Sequence, residues 1–197
     1  TIDPPAAELT VWAKTAPKGA LVKATLQEQK SNDVVVRSEG AVKNGQALLN
    51  ISAPNAELWS HKDPNLYDLR LDLVVDGEIV DTVGSYIGFR TFEAREGSFY
   101  LNGEKVWLCG ALDQGYWPQS LYTHPSDEAA IADIKYAKHV GLNHIRKHQM
   151  VADPRFLYHC DRLGLLVWGE MANAGQKCLS ERAKSIALRE WSRVIRR

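Results

Sequence analysis

Three groups of polar side chains recur in the second half of this 197-residue sequence, each behind a short apolar run. Asp113 and Trp117 follow "KVWLCGA" (105–111), Arg146 and His148 close "LNHIR" (142–146), and Glu170 and Asn173 close "LLVWGE" (165–170). Carboxylate, guanidinium and imidazole groups at neighbouring positions can orient a polar ligand through charge-assisted hydrogen bonds. An indole can cover an apolar face. A sheet serving only as scaffold would not need hydrogen-bonding side chains behind three successive strands. His144 and His148 are four residues apart on a strand rather than a helix, and with no third ligand in sight they call for no metal. No cofactor is expected either.

The elements that must position these groups are legible as alternating strands and helices. Ser126 can cap a helix whose first turn holds Asp127 and Glu128, complementing the dipole. Ile131, Ile134, Ala137 and Val140 then recur at helical spacing, and Gly141 can end the helix. Asp153-Pro154 predicts a cap with proline at the first helical position, followed by an apolar stripe of Phe156, Leu157, Cys160 and Leu163 and a stop at Gly164. Ser180 begins a last helix, with Ala183, Ile186, Ala187, Trp191, Val194 and Ile195 on its inner face. Residues 98–197 thus read as strand, helix, strand, helix, strand, helix. That order builds a parallel sheet, which binds ligands beyond the carboxyl ends of its strands.

Residues 7–92 follow a different grammar. "LYDLRLDLVV" alternates: Tyr67, Leu69, Leu71 and Leu73 face one way, and Asp68, Arg70 and Asp72 the other, as in a half-buried strand. Asp76-Gly77 predicts a tight hairpin into "EIVDTVGSY". About seven short strands and no helix predict an antiparallel sandwich of immunoglobulin type, without an inter-sheet disulfide, since all three cysteines lie later in the chain. Trp59, Tyr67, Trp107 and Trp191 are expected in cores, and Asp133, Lys135 and Lys138 on a solvated helix face. Lys plus Arg (24) equals Asp plus Glu (24), which argues against a nucleic-acid partner. No apolar run approaches the ~20 residues of a membrane span, so no membrane partner is expected. The amino-terminal Thr-Ile-Asp-Pro-Pro shows no signal peptide. Cys109, Cys160 and Cys178 read as free thiols, compatible with a reducing compartment; localisation between secreted, periplasmic and cytoplasmic is left open.

The blocks "LWSHKDPNLYDLRLDLV", "YIGFRTFE", "GSFYLNGEKVWLCGA" and "DPRFLYHCDRLGLLVWGEMAN", in this order, resemble glycoside hydrolase family 2, which contains β-galactosidases, β-glucuronidases and β-mannosidases. The resemblance implies an immunoglobulin-like β-sandwich over residues 1–92. Over 93–197 it implies the amino-terminal part of a TIM-barrel glycosidase domain, an incomplete (β/α)8 barrel of about three βα units. It implies a retaining glycosidase of β-linked substrates, in which one carboxyl group protonates the leaving oxygen and another attacks the anomeric carbon. In the family the acid is the Glu of an Asn-Glu pair after the fourth strand, and the nucleophile a Glu on the seventh. No Asn-Glu dipeptide occurs in this chain. A full barrel needs about 250 residues. The expectation is therefore a portion of a larger enzyme that holds part of the sugar pocket and neither catalytic carboxylate, inactive alone. The alternative is a non-catalytic carbohydrate-binding or structural module. An unpaired sheet edge would favour self-association.

By resemblance, the substrate-binding candidates are Asp113, Trp117, Arg146, His148, Glu170 and Asn173. Arg146 matches a pocket arginine that orients the nucleophile; its other reading is a buried ion pair. His148 either donates to a sugar hydroxyl or supports a residue that does. Glu170 is a pocket residue, the structural partner of Arg146, or itself a general acid with Asp113 opposite. Asn173 either bonds a hydroxyl or ends a loop. Tyr116 and Trp117 either stack on a sugar face or pack the barrel top. Two segments depart from the family pattern: Arg146-Lys147-His148 stands where many members have Arg-x-Ser-His, and Leu112-Asp113-Gln114-Gly115 where many have Asn-x-His-Glu.

Overall fold

The computed structural model describes residues 2–172 and 180–196 and divides the chain into two compact units, Thr1–Trp107 and Leu108–Arg197. The expected division at 92/93 falls instead at the entrance to a three-stranded meander that belongs to the first unit.

The first unit is a β-sandwich. β1 (Ala6–Trp12) pairs antiparallel with β4 (Gln46–Ser52) in one sheet. The other has the order β3 (Val34–Ala41), β2 (Leu21–Glu28), β5 (Tyr67–Val75), β6 (Glu78–Ile87). The period of two dictates the core: Val22, Ala24 and Leu26 of β2 meet Ala47, Leu49 and Ile51 of β4 and Tyr67 and Leu69 of β5. Leu71 and Leu73 pack at its margin, as the alternation of β5 predicts, and Trp59 is buried. On the outer face Asp72 accepts from the Thr82 hydroxyl and from Arg70, and both hold its carboxyl below the ordinary range.

β7 (Phe92–Arg95), β8 (Ser98–Leu101) and β9 (Glu104–Val106) form the meander. The Asp76-Gly77, Glu96-Gly97 and Asn102-Gly103 pairs that join β5–β6, β7–β8 and β8–β9 all have positive φ, which two-residue hairpins of right-twisted strands require. Asn102-Gly103 explains one correction. The run 105–111 is not a single strand: its start completes the β8–β9 hairpin, and only its end enters the parallel sheet. Trp107 lies in the gap between them and is 83% exposed, not in a core as expected.

In the second unit β10 (Gly110–Asp113), β11 (His144–Lys147) and β12 (Leu166–Gly169) form a parallel sheet in that order. α1 (Asp127–His139) and α2 (Pro154–Leu163) connect them, capped by Ser126 and Asp153 as expected. Gly164 ends α2 with φ 75°. Ala130, Ile134 and Ala137 of α1 and Phe156 and Cys160 of α2 pack on Ile145 and Val167 of the sheet. Val140 is exposed, so the buried stripe of α1 runs through Ala130 rather than beyond the helix end. Lys138 does not join the solvated face: its ammonium donates to the carbonyls of Leu163 and Gly164 and so caps α2 from its neighbour. α3 (Glu181–Ile195) is capped by Ser180, and none of its described residues is buried. Its expected core residue Trp191 is half-buried, because no described strand lies under that stripe.

Candidate functional site

The site is built by the alternation of β11. In-register residues of parallel strands point to the same side of the sheet. Ile145 and Val167 contact the helices, so their row is the helix-covered face, and Lys147 and Asp113 lie on it two residues on. Leu112, Arg146 and Trp168 share the opposite face, away from α1 and α2. Trp168 there is 47% exposed and meets His144 edge-on with centroids 6.3 Å apart.

At the carboxyl ends of β11 and β12 the open face carries a compact polar constellation. The Arg146 Nε donates to Glu170 Oε1, and the backbone N–H of Gln149 donates to Glu170 Oε2 at 2.9 Å. The His148 Nδ1 lies 3.4 Å from the same Oε2. Gln149 adopts φ 54°, a left-handed conformation that costs a non-glycine residue roughly 1 kcal/mol. The bond from its amide to the carboxylate offsets that cost. The Arg146 guanidinium, then the Gln149 amide, holds the Glu170 carboxyl below the ordinary glutamate range. A proton donor at neutral pH needs the opposite shift, so this environment argues against Glu170 as a general acid.

Beside this constellation lies a cleft of about 350 Å³ lined by Gln114, Tyr116, Tyr122, His148, Gln149 and Ala172. Tyr116 and Tyr122 meet edge-on, centroids 5.1 Å apart, and leave apolar ring surface facing solvent. The loop carrying them closes through reciprocal backbone hydrogen bonds between Trp117 and Leu121, with Leu121 at φ 62°. Positive φ at bulky residues marks backbone held against its preference, here at Leu121 and Gln149 flanking one cleft.

The structure thus brings Arg146, His148 and Glu170 together. Asp113 does not join them. One of its oxygens is taken by Lys147 and the other by the Gly115 amide, on the helix side of the sheet. Trp117 is half-buried and does not line the cleft; the neighbouring tyrosines do. Asn173 lies outside the described residues. Gln114 belongs to a segment the sequence singled out as departing from the family pattern, while Tyr122 and Gln149 went unrecognised. A tyrosine in a polar loop carries no periodic signal, and Gln149 contributes through its backbone.

The fold is a sandwich followed by parallel βα units, the class in which ligands generally bind beyond the carboxyl ends of the strands. Residues 5–90 match the family model described as glycosyl hydrolases family 2, and the chain belongs to that family. A relative from Formosa agariphila is 35% identical over 150 residues, 70% of this chain and 17% of the relative. A β-galactosidase of Lactobacillus delbrueckii subsp. bulgaricus is 30% identical over 138 residues, 70% of this chain and 14% of its own length. The crystal structure of a β-glycosidase from Bacteroides vulgatus superposes with a TM-score of 0.72 at 27% identity, covering 86% of this chain and 22% of that one. The chain thus spans about a sixth of the curated relatives it matches.

Proposed function

We propose that this chain is a portion of a retaining β-glycosidase that supplies one side of the saccharide pocket and neither catalytic carboxylate. In this reading, the second unit, from Leu108, contributes the first three βα units of a (β/α)8 barrel, after an immunoglobulin-like domain in the first unit. The open face bearing Leu112, Arg146 and Trp168 is then the face turned to the barrel interior. The observation that carries the reading is the Arg146–Glu170 pair at the strand tips, held by the Gln149 amide, with His148 beside it and two tyrosines flanking it. Tyrosine rings cover the apolar face of a sugar, while His148 and Gln114 can bond its hydroxyls. The Arg146 guanidinium, a planar fork of N–H donors, would orient a carboxylate arriving from elsewhere in the enzyme. The glycosidase relatives support a carbohydrate substrate.

Titrating the chain with p-nitrophenyl β-D-galactopyranoside, followed by NMR, tests this. Resonances of Tyr116, Tyr122 and His148 are expected to shift without release of nitrophenol. Hydrolysis that disappears in Glu170→Gln would overturn the assignment and place the acid within this chain. Binding confined to the sandwich would favour a carbohydrate-binding module without catalysis.

A further inference from the structure

We propose that Asp113 and Lys147 form one buried positioning unit, which sets the turn by which β10 delivers Gln114 and Tyr116 to the cleft. The structure brings the ends of the first two parallel strands into contact through them: the Lys147 ammonium bonds to Asp113 Oδ2. Lys147 is 5% exposed, and a buried ammonium without a counter-charge is costly. Its surroundings offer little else. Its Nζ sits 3.6 Å from the centre of the Phe156 ring, a favourable cation–π contact. The nearby Cys160 thiol is pushed up to about 12, chiefly by burial, and remains neutral. Asp133 of α1 also feels both charges, and burial raises its carboxyl above the ordinary range. Asp113 is the hydrogen-bonded counter-charge.

The other end of Asp113 makes this more than a buried ion pair. Its Oδ1 accepts from the Gly115 N–H at 2.6 Å, and its backbone carbonyl accepts from the His148 N–H at 2.9 Å. Gly115 has φ 73°, and a Cβ there would lie 2.7 Å from the Met150 sulfur, so the turn needs glycine on both counts. Lys147 thus fixes the Asp113 carboxylate, the carboxylate fixes the Gly115 amide, and the amide fixes the turn between two cleft-lining residues, Gln114 and Tyr116. Asp113 governs the cleft from behind the sheet without touching its contents.

This inference deepens the saccharide reading but is tested apart from it. Hydrogen exchange by NMR is measured at Gly115 and at the core amides of the second unit in Asp113→Asn, Lys147→Met, the double variant and Ile134→Ala. Each single variant is expected to speed Gly115 exchange by about tenfold relative to the core amides, the loss of one charge-assisted bond. The double variant is expected to be no faster than the faster single one, since both break the same chain. Ile134→Ala, which loosens the core elsewhere, is expected to speed all amides together. Contacts between the Tyr116 and Tyr122 rings should weaken in the first three variants only. The proposal is overturned if Gly115 moves only in step with the core amides, or if the single effects simply add. If Lys147→Met does not fold, Asp113→Asn alone decides: an unchanged Gly115 rate refutes the unit. Failure of p-nitrophenyl β-D-galactopyranoside to shift any cleft resonance in the unaltered chain would count against the saccharide reading and leave the Gly115 result standing.

Discussion

Glu170 illustrates how neighbouring donors favour the charged form of a carboxylate. The folded-state value is depressed, chiefly by Arg146, so its stabilising contribution is complete above the unfolded-state value of about 4.3 and is lost as pH falls through the lower folded one. In Arg146→Gln the depression is expected to shrink to what the Gln149 amide sustains. The Glu170 carboxyl carbon, followed by NMR, should then titrate at higher pH than in the unaltered chain; an unmoved midpoint would show that the guanidinium is not the cause. The cysteines offer a second test at this scale. Cys109 is exposed, while Cys160 is buried with its thiol pushed up to about 12. Since the thiolate is the nucleophile, iodoacetamide at pH 8 should label Cys109 in the folded chain and reach Cys160 only on unfolding, as read by peptide mass mapping. The cysteine count suggested free thiols; which one reacts depends on burial, to which spacing is blind.

At the level of elements, helix ends were the most legible features. Ser126, Asp153 and Ser180 cap their helices as their types require, because a cap is a local hydrogen bond between a side chain and the next turn. Asp153→Ala should therefore lower stability by about 1 kcal/mol in urea denaturation. What local grammar missed is Lys138, whose partners lie at the end of another helix. Gly110 is the corresponding case in the sheet. A Cβ there would lie 2.6 Å from the His144 carbonyl and run into the imidazole. Gly110→Ala is expected to cost about 1–3 kcal/mol and to loosen β10 from β11, lowering the urea midpoint and the protection of the His144–Lys147 amides. A neutral effect would mean that the two strands approach less closely than described.

For the whole molecule, β10 and β12 pair only with β11 among the described residues, so the parallel sheet presents two unpaired edges. Such edges recruit partners, and concentration-dependent self-association is expected in light scattering; a monomer at all concentrations would contradict it. The sequence by itself determined the two grammars, the Asp76-Gly77 hairpin, the caps and the alternation of strand and helix beyond the meander, because each rests on periods and bonds spanning a few residues. It also determined that Arg146, His148 and Glu170 stand at strand ends. Only the tertiary structure decided on which side of the sheet each group lies. Arg146 and Lys147 are adjacent in the chain, yet the pleat sends one to the open face with Glu170 and the other beneath the sheet to Asp113. Asp113 looked like a pocket residue because its strand ends at the right place. The register of three strands far apart in sequence turns its carboxylate toward the helices instead, and no local pattern encodes that register.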